Sequence, residues 1–179
     1  MEGPADHDLM ARVARGDGDA FRHLSRRHVR AALALARRIV GNDAVAEELV
    51  QDAFLRVWIN APRWRPEAAF RTWLYRIVIN LCLNEKRRPP ALPLSAAGDP
   101  PDPAPDADAE LATRERDRMV IAAIDALPAR QRTAIVLTYH QGLSNAEAAD
   151  VLDTSVSGIE TLLVRAKRTL RAALGSYSS

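Results

Sequence analysis

Residues 89–113, PPALPLSAAGDPPDPAPDADAELAT, hold seven of the chain's eleven prolines, five acidic residues and no Lys or Arg. Proline removes backbone donors, and a segment this polar cannot bury enough apolar surface to order itself. The stretch predicts a flexible, extended Pro/Asp-rich linker that divides the 179 residues into blocks 1–88 and 114–179. Charge breaks at the same places: 16 Lys and Arg face 11 Asp and Glu in the first block (net +5), the linker carries −5, and the last block +2. At roughly 3.1 Å per residue in polyproline geometry the linker reaches on the order of 75 Å, about two turns of duplex DNA, so the tethered blocks can touch well-separated sites. Its acidity fits solubility, or keeping the linker off DNA or in a basic channel, and the sequence does not choose.

Both blocks read as all-α. Residues 44–88 form two amphipathic helices of opposite surface chemistry. In the first, Leu49, Val50, Ala53, Phe54, Val57 and Trp58 make a buried stripe and leave Glu47, Glu48, Gln51, Asp52 and Arg56 outside, a mainly acidic face suited to a protein partner. In the second, Phe70, Trp73, Leu74, Ile77, Val78, Leu81 and Cys82 form the stripe. Thr72, Arg76, Asn80 and Arg87 fall on another, cationic and amide-rich face, which suits a nucleic-acid backbone. The connecting loop sets Trp64 between Arg63 and Arg65; the tryptophan either stacks on an unpaired base or plugs the groove between helices.

Ahead of these lie a short helix around Leu9 to Arg15, a Gly16-Asp17-Gly18 turn, and a longer helix that Asp19 can cap. Phe21, Leu24, His28, Leu35 and Ile39 lie on its one side, with Arg22, Arg26, Arg30 and Arg37 largely on the other. After the linker, a helix carries Met119, Val120, Ala123, Ile124 and Leu127. Pro128 opens the next, flanked by Arg130 and Arg132 and closed by Gly142. Ser144 and Glu147 make a capping box. The spacing then matches a helix-turn-helix, with small Ala149 at the crossing, Asp153 at the turn and Ile159 as the apolar contact. Ser155 or Ser157 caps the last helix, which displays Arg165, Lys167, Arg168 and Arg171.

Several classes are argued against. No apolar run approaches the roughly 18 to 20 residues of a membrane span, and Met1 to Asp8 lacks signal-peptide character, so direct membrane insertion is not expected and a cytoplasmic protein is. One cysteine excludes an internal disulfide, and Cys82 sits on an apolar stripe. The four histidines have no metal-ligand spacing, so no metal and no cofactor are expected. The carboxylates lie scattered on exposed helical faces and form no catalytic cluster, which argues against an enzyme. A stand-alone helix-turn-helix regulator leaves the acidic helix unexplained.

Two segments carry a family resemblance. AFRHLSRRHVRAALALARRIVGNDAVAEELVQDAFLRVW with FRTWLYRIVINLCLNEKRR resembles region 2 of the extracytoplasmic-function (ECF) sigma factors of the sigma-70 superfamily, and ALPARQRTAIVLTYHQGLSNAEAADVLDTSVSGIETLLVRAKRTL resembles their region 4. The resemblance implies a dissociable subunit of bacterial RNA polymerase that directs promoter-specific initiation without an active site of its own. Region 2 would bind the largest polymerase subunit through Glu47, Glu48, Gln51, Asp52 and Arg56, and the minus-10 element through Arg63 to Arg65, Arg71, Thr72, Arg76, Asn80 and Asn84. Region 4 would contact the second-largest subunit and read the minus-35 element through Ser157, Glu160, Thr161, Arg165, Lys167 and Arg168. Where many relatives show a basic residue, Ser and Arg, this chain has Glu160, Thr161 and Leu162; a glutamate can accept from a cytosine amino group or cap its helix. The resemblance also implies control by an anti-sigma factor, commonly membrane-tethered, that clasps two domains with no fixed mutual orientation.

Overall fold

The computed structural model describes residues 5–87 and 118–175, and the expected linker, 89–113, lies outside the described residues. The first block comprises α1 (Asp6–Val13), α2 (Gly18–Val40), α3 (Asp43–Asn60), a 3-10 turn (Ala61–Arg63) and α4 (Phe70–Arg87). Asp17, rather than Asp19, caps α2: its carboxylate accepts from the Asp19 and Ala20 amides, both at 3.0 Å. The Ala20 amide, followed by the Arg12 guanidinium, holds that carboxyl below its usual range. The helix starts two residues earlier than a cap at Asp19 suggests because Gly18 takes its first helical position. It stops at Gly41, whose φ of 73° is left-handed.

The expected stripes meet in the core: Leu24, Leu35 and Ile39 from α2, Val50, Ala53 and Val57 from α3, Leu74, Val78 and Cys82 from α4. Each fully buried side chain of leucine size contributes roughly 1.5–3 kcal/mol. Burial pushes the Cys82 thiol up to about 12, so it is an inert packing group at neutral pH. α4 is buried on a second side as well. Thr72, Tyr75, Ile79 and Leu83 are all covered.

The second block supplies that cover. It comprises α5 (residues 118–125), α6 (Ala129–Ile135) running into a π-helical turn (Val136–His140), α7 (Asn145–Leu152) and α8 (Val156–Gly175). The capping box forms as expected, with the Glu147 amide 3.2 Å from Ser144 Oγ and the Ser144 amide donating to Glu147 Oε2 at 2.8 Å. The Ser144 amide and then its hydroxyl, both donating to the Glu147 carboxylate, lower its pKa, so their contribution is present above the ordinary carboxylate range and is lost as pH falls through the lowered value. Ser155 caps α8, its Oγ accepting from the Gly158 amide at 3.1 Å. The helix-turn-helix has the expected pieces: Ala149 and Ile159 are buried, and Asp153 is left-handed at φ 51°, ψ 59°. Left-handed backbone costs a non-glycine residue roughly 1–2 kcal/mol, while the exposed ion pair that Asp153 makes is worth under about 1 kcal/mol. Asp153→Gly is therefore expected to stabilise the protein by a few tenths to about 1 kcal/mol in urea unfolding, and a loss of stability would show that the ion pair dominates.

The two blocks share one continuous core, contrary to the expectation of domains without a fixed mutual orientation. Its polar centre is Arg132, only 5% exposed. The guanidinium donates to the Ile39 carbonyl in the last turn of α2 at 2.9 Å and to the Ile124 carbonyl in the last turn of α5 at 3.1 Å, with Asp125 at 3.5 Å. Helix C-termini carry partial negative charge on their last carbonyls, and one planar cation here donates to two of them, sharing the Ile124 carbonyl with the Leu127 amide at 3.1 Å. Around it, the Tyr75 hydroxyl donates to Gln141 Oε1 at 2.7 Å, Arg76 pairs with Asp153 at 3.1 Å, and Arg71 lies 3.7 Å from Glu147.

Candidate nucleic-acid interface

The end of α3, the 3-10 turn and α4 enclose an open cavity of about 530 Å³ lined by Arg56, Asn60, Arg63, Trp64, Arg65, Glu67, Trp73, Ile77 and Asn80. Three guanidiniums, two amides and two indoles in one concavity match what an unstacked base and its phosphates require. Trp64 serves packing: it is half-buried, with its ring centroid 5.8 Å from His7 and 6.4 Å from Trp73. Its remaining surface lines the cavity, so packing and base stacking are not exclusive. Asn60 donates to the Arg56 carbonyl at 2.8 Å, which fixes its amide at the rim.

On α4 the expected face divides. Asn80, Asn84 and Arg87 are exposed, whereas Thr72 is buried and Arg71 and Arg76 face acidic groups of α7 and the turn after it. On the upper half of that face Thr72 is thus buried, while Arg71 and Arg76 are engaged by carboxylates of the second block and remain accessible.

The acidic face of α3 is outward as expected. Glu48 and Gln51 are exposed, Glu47 accepts from Arg37 at 3.1 Å, and Asp52 receives both Arg56 Nε and a terminal guanidinium nitrogen at 3.1 Å. Arg56 consequently joins the two surfaces, pairing on the acidic face while lining the cavity. Leu55 and Ile59, 55% and 62% exposed, extend the row Glu48, Asp52 down the helix and were missed by the sequence reading. Their spacing, three and seven residues beyond Asp52, was the available signal, since apolar side chains there fall off the buried stripe.

In the second block, α8 presents Ser157, Glu160, Thr161, Arg165, Lys167 and Arg168, all exposed. Arg130 donates to the Leu152 carbonyl at 3.1 Å and so holds the turn between them. Lys167 sits 5.2 Å above the Tyr139 ring. Leu162 is half-buried against the core, which accounts for an apolar residue at that position.

Residues 24–89 match the Sigma-70 region 2 family and residues 117–170 the Sigma-70 region 4 family. The ECF RNA polymerase sigma factor SigM of Mycobacterium tuberculosis is 35% identical over 171 residues, covering 96% of this chain and 85% of that protein. The chain belongs to the ECF sigma factors. The ECF RNA polymerase sigma-E factor of Escherichia coli K12 is 30% identical, with 92% of each chain covered. Among solved structures, the sigma factor resembles CnrH in complex with the cytosolic domain of CnrY, with a TM-score of 0.73, 30% identity, and coverage of 97% of this chain and 99% of that one. Among the described residues, the region 2 match falls on α2 to α4 and the region 4 match on α5 to α8. Among the described residues no helix is long and apolar enough to cross a membrane.

Proposed function

We propose that this sigma factor docks on core polymerase through the outer face of α3, captures an unstacked minus-10 base in the cavity beside it, and reads the minus-35 duplex with α8. The docking set is Glu47, Glu48, Gln51, Asp52 and Arg56, extended by Leu55 and Ile59. The minus-10 set is Arg63, Trp64, Arg65, Arg71, Thr72, Arg76, Asn80, Asn84 and Arg87; the minus-35 set is Ser157, Glu160, Thr161, Arg165, Lys167 and Arg168. Region 2 function resides in 1–88 and region 4 function in 114–179, with 89–113 as the tether. The protein is not itself an enzyme, because nucleotidyl transfer belongs to polymerase, and it works in the cytoplasm.

The observation that carries this reading is that α3 turns a carboxylate row with two bare aliphatics to one side and an arginine- and tryptophan-lined cavity to the other. A protein contact and a nucleic-acid contact one helix apart suit a subunit that must bind both at once. An anti-sigma factor is the expected regulator. The full-length likeness to CnrH held by a cytosolic partner domain supports it, as do the burial of Thr72 and the pairing of the exposed Arg76 with Asp153 of region 4. The purified chain is expected to co-elute with core polymerase and to support run-off transcription from a specific promoter; failure to bind core would refute the proposal. Arg165→Ala is expected to lower the salt dependence of promoter binding by about one ion per site, read as the slope of log K against log salt. An unchanged slope would remove Arg165 from the phosphate contacts.

A further inference from the structure

α8 buries Ile159, Leu163 and Ala166 and turns its opposite side to solvent. On that side residues 156–164, about two and a half turns, hold no Lys or Arg; cations begin only at Arg165. The hydroxyls there are locally engaged, Ser157 Oγ lying 2.9 Å from Ser155 Oγ and Thr161 donating to the Ser157 carbonyl at 2.9 Å. What stands out from the helix is Val156, Glu160 and Val164, spaced four residues apart, with the valines 43% and 67% exposed. Glu160 is exposed and has no hydrogen bond or ion pair among the described residues. A bare carboxylate opposes phosphate, so a helix that lies on DNA tolerates it only where a base edge offers a donor.

We propose that Glu160 selects a C·G pair and Val164 a T·A pair within two steps of it, giving this sigma factor an upstream element specified by one carboxylate and one isopropyl group. The inference rests on the reading of α8 as the duplex reader. In the major groove cytosine presents its N4 amino donor, whereas guanine presents two acceptors, thymine an acceptor and adenine a donor beside an acceptor. An acceptor-only side chain therefore favours cytosine over the other three bases. Thymine adds a C5-methyl, the groove's apolar feature, which Val164 can cover. Four helical residues span about 6 Å and base pairs are stacked about 3.4 Å apart, so the two contacts fall within about two steps.

The test is selection from promoters with a fixed minus-10 element and a randomised upstream segment, using polymerase reconstituted with the full chain. The wild type is expected to enrich cytosine about tenfold at one position, with thymine nearby. Glu160→Gln is expected to shift that position from cytosine to adenine, because an amide pairs with both the amino group and N7 of adenine. Replacing the enriched thymine by deoxyuridine, which removes only the methyl, is expected to weaken the wild type about threefold and Val164→Ala hardly at all. Both substitutions are at exposed positions, and thermal melting checks that each variant is folded. The proposal is overturned if Glu160→Gln enriches the same base as the wild type, or if deoxyuridine costs both proteins equally. Enrichment of nothing, with no initiation at the fixed minus-10 element, would instead overturn the sigma-factor docking scheme and this proposal with it.

Discussion

Asp52→Arg is expected to weaken association with core polymerase about a hundredfold while leaving the fold intact. Asp52 is half-exposed, and its contacts among the described residues are the paired bonds to Arg56 on the same helix, so little packing is lost. Arginine is a good helix former. The loss at the interface combines a removed carboxylate with an added cation beside Arg56, and such reversal in a charged contact costs about 3 kcal/mol. Leu55→Ala and Ile59→Ala are expected to cost less singly, about 1 kcal/mol each, since each removes part of one aliphatic side chain. Titration of labelled core by fluorescence anisotropy measures all three. Asp52→Arg binding as tightly as the wild type, with unchanged circular dichroism, would move the docking surface off α3.

The second large effect is expected at Arg132. Truncation to Ala removes the Arg132 donor from the Ile39 carbonyl inside a covered seam, while the Ile124 carbonyl keeps the Leu127 amide at 3.1 Å, and costs about 2 kcal/mol. The weakest joint gives first, so the second block should swing away from α4 before either block melts. The radius of gyration from small-angle scattering is expected to rise, and affinity for a single-stranded minus-10 oligonucleotide to increase as Thr72 is uncovered and Arg76 is released from Asp153. Arg132→Lys should recover only part of the loss, because an ammonium lacks the planar fork that reaches two carbonyls at once. Unchanged scattering in Arg132→Ala would mean that Tyr75, Ile79 and Leu83 hold the seam by themselves.

What the sequence disclosed depended on how local the governing rule is. The capping box at Ser144 and Glu147, the left-handed Asp153 and the Ala149–Ile159 contact obey short-range rules, and each was legible. The stripes of α2, α3 and α4 were legible too, since one buried side imposes helical periodicity. α4 was only half read, because Tyr75, Ile79 and Leu83 interleave with its polar residues and show as a second buried side only when the partner block is in place. Arg132 was placed on the flank of its helix, as a charged residue usually is, and nothing in its neighbourhood signalled two distant carbonyls. Among the site residues, Leu55 and Ile59 carry no charge or amide to mark them, and only their place off the buried stripe distinguishes them. Thr72 was expected on an open face, and the seam that covers it is a long-range feature.

That guanidinium has a bearing on how relatives of this chain could be recombined. It donates to the last turn of one helix from each of the two family-matched segments, so the segments meet at one side chain. Hybrids that graft the second segment of a relative lacking a cation here should fold half by half and yet never shut. They would leave the minus-10 surface uncovered in the absence of any regulator.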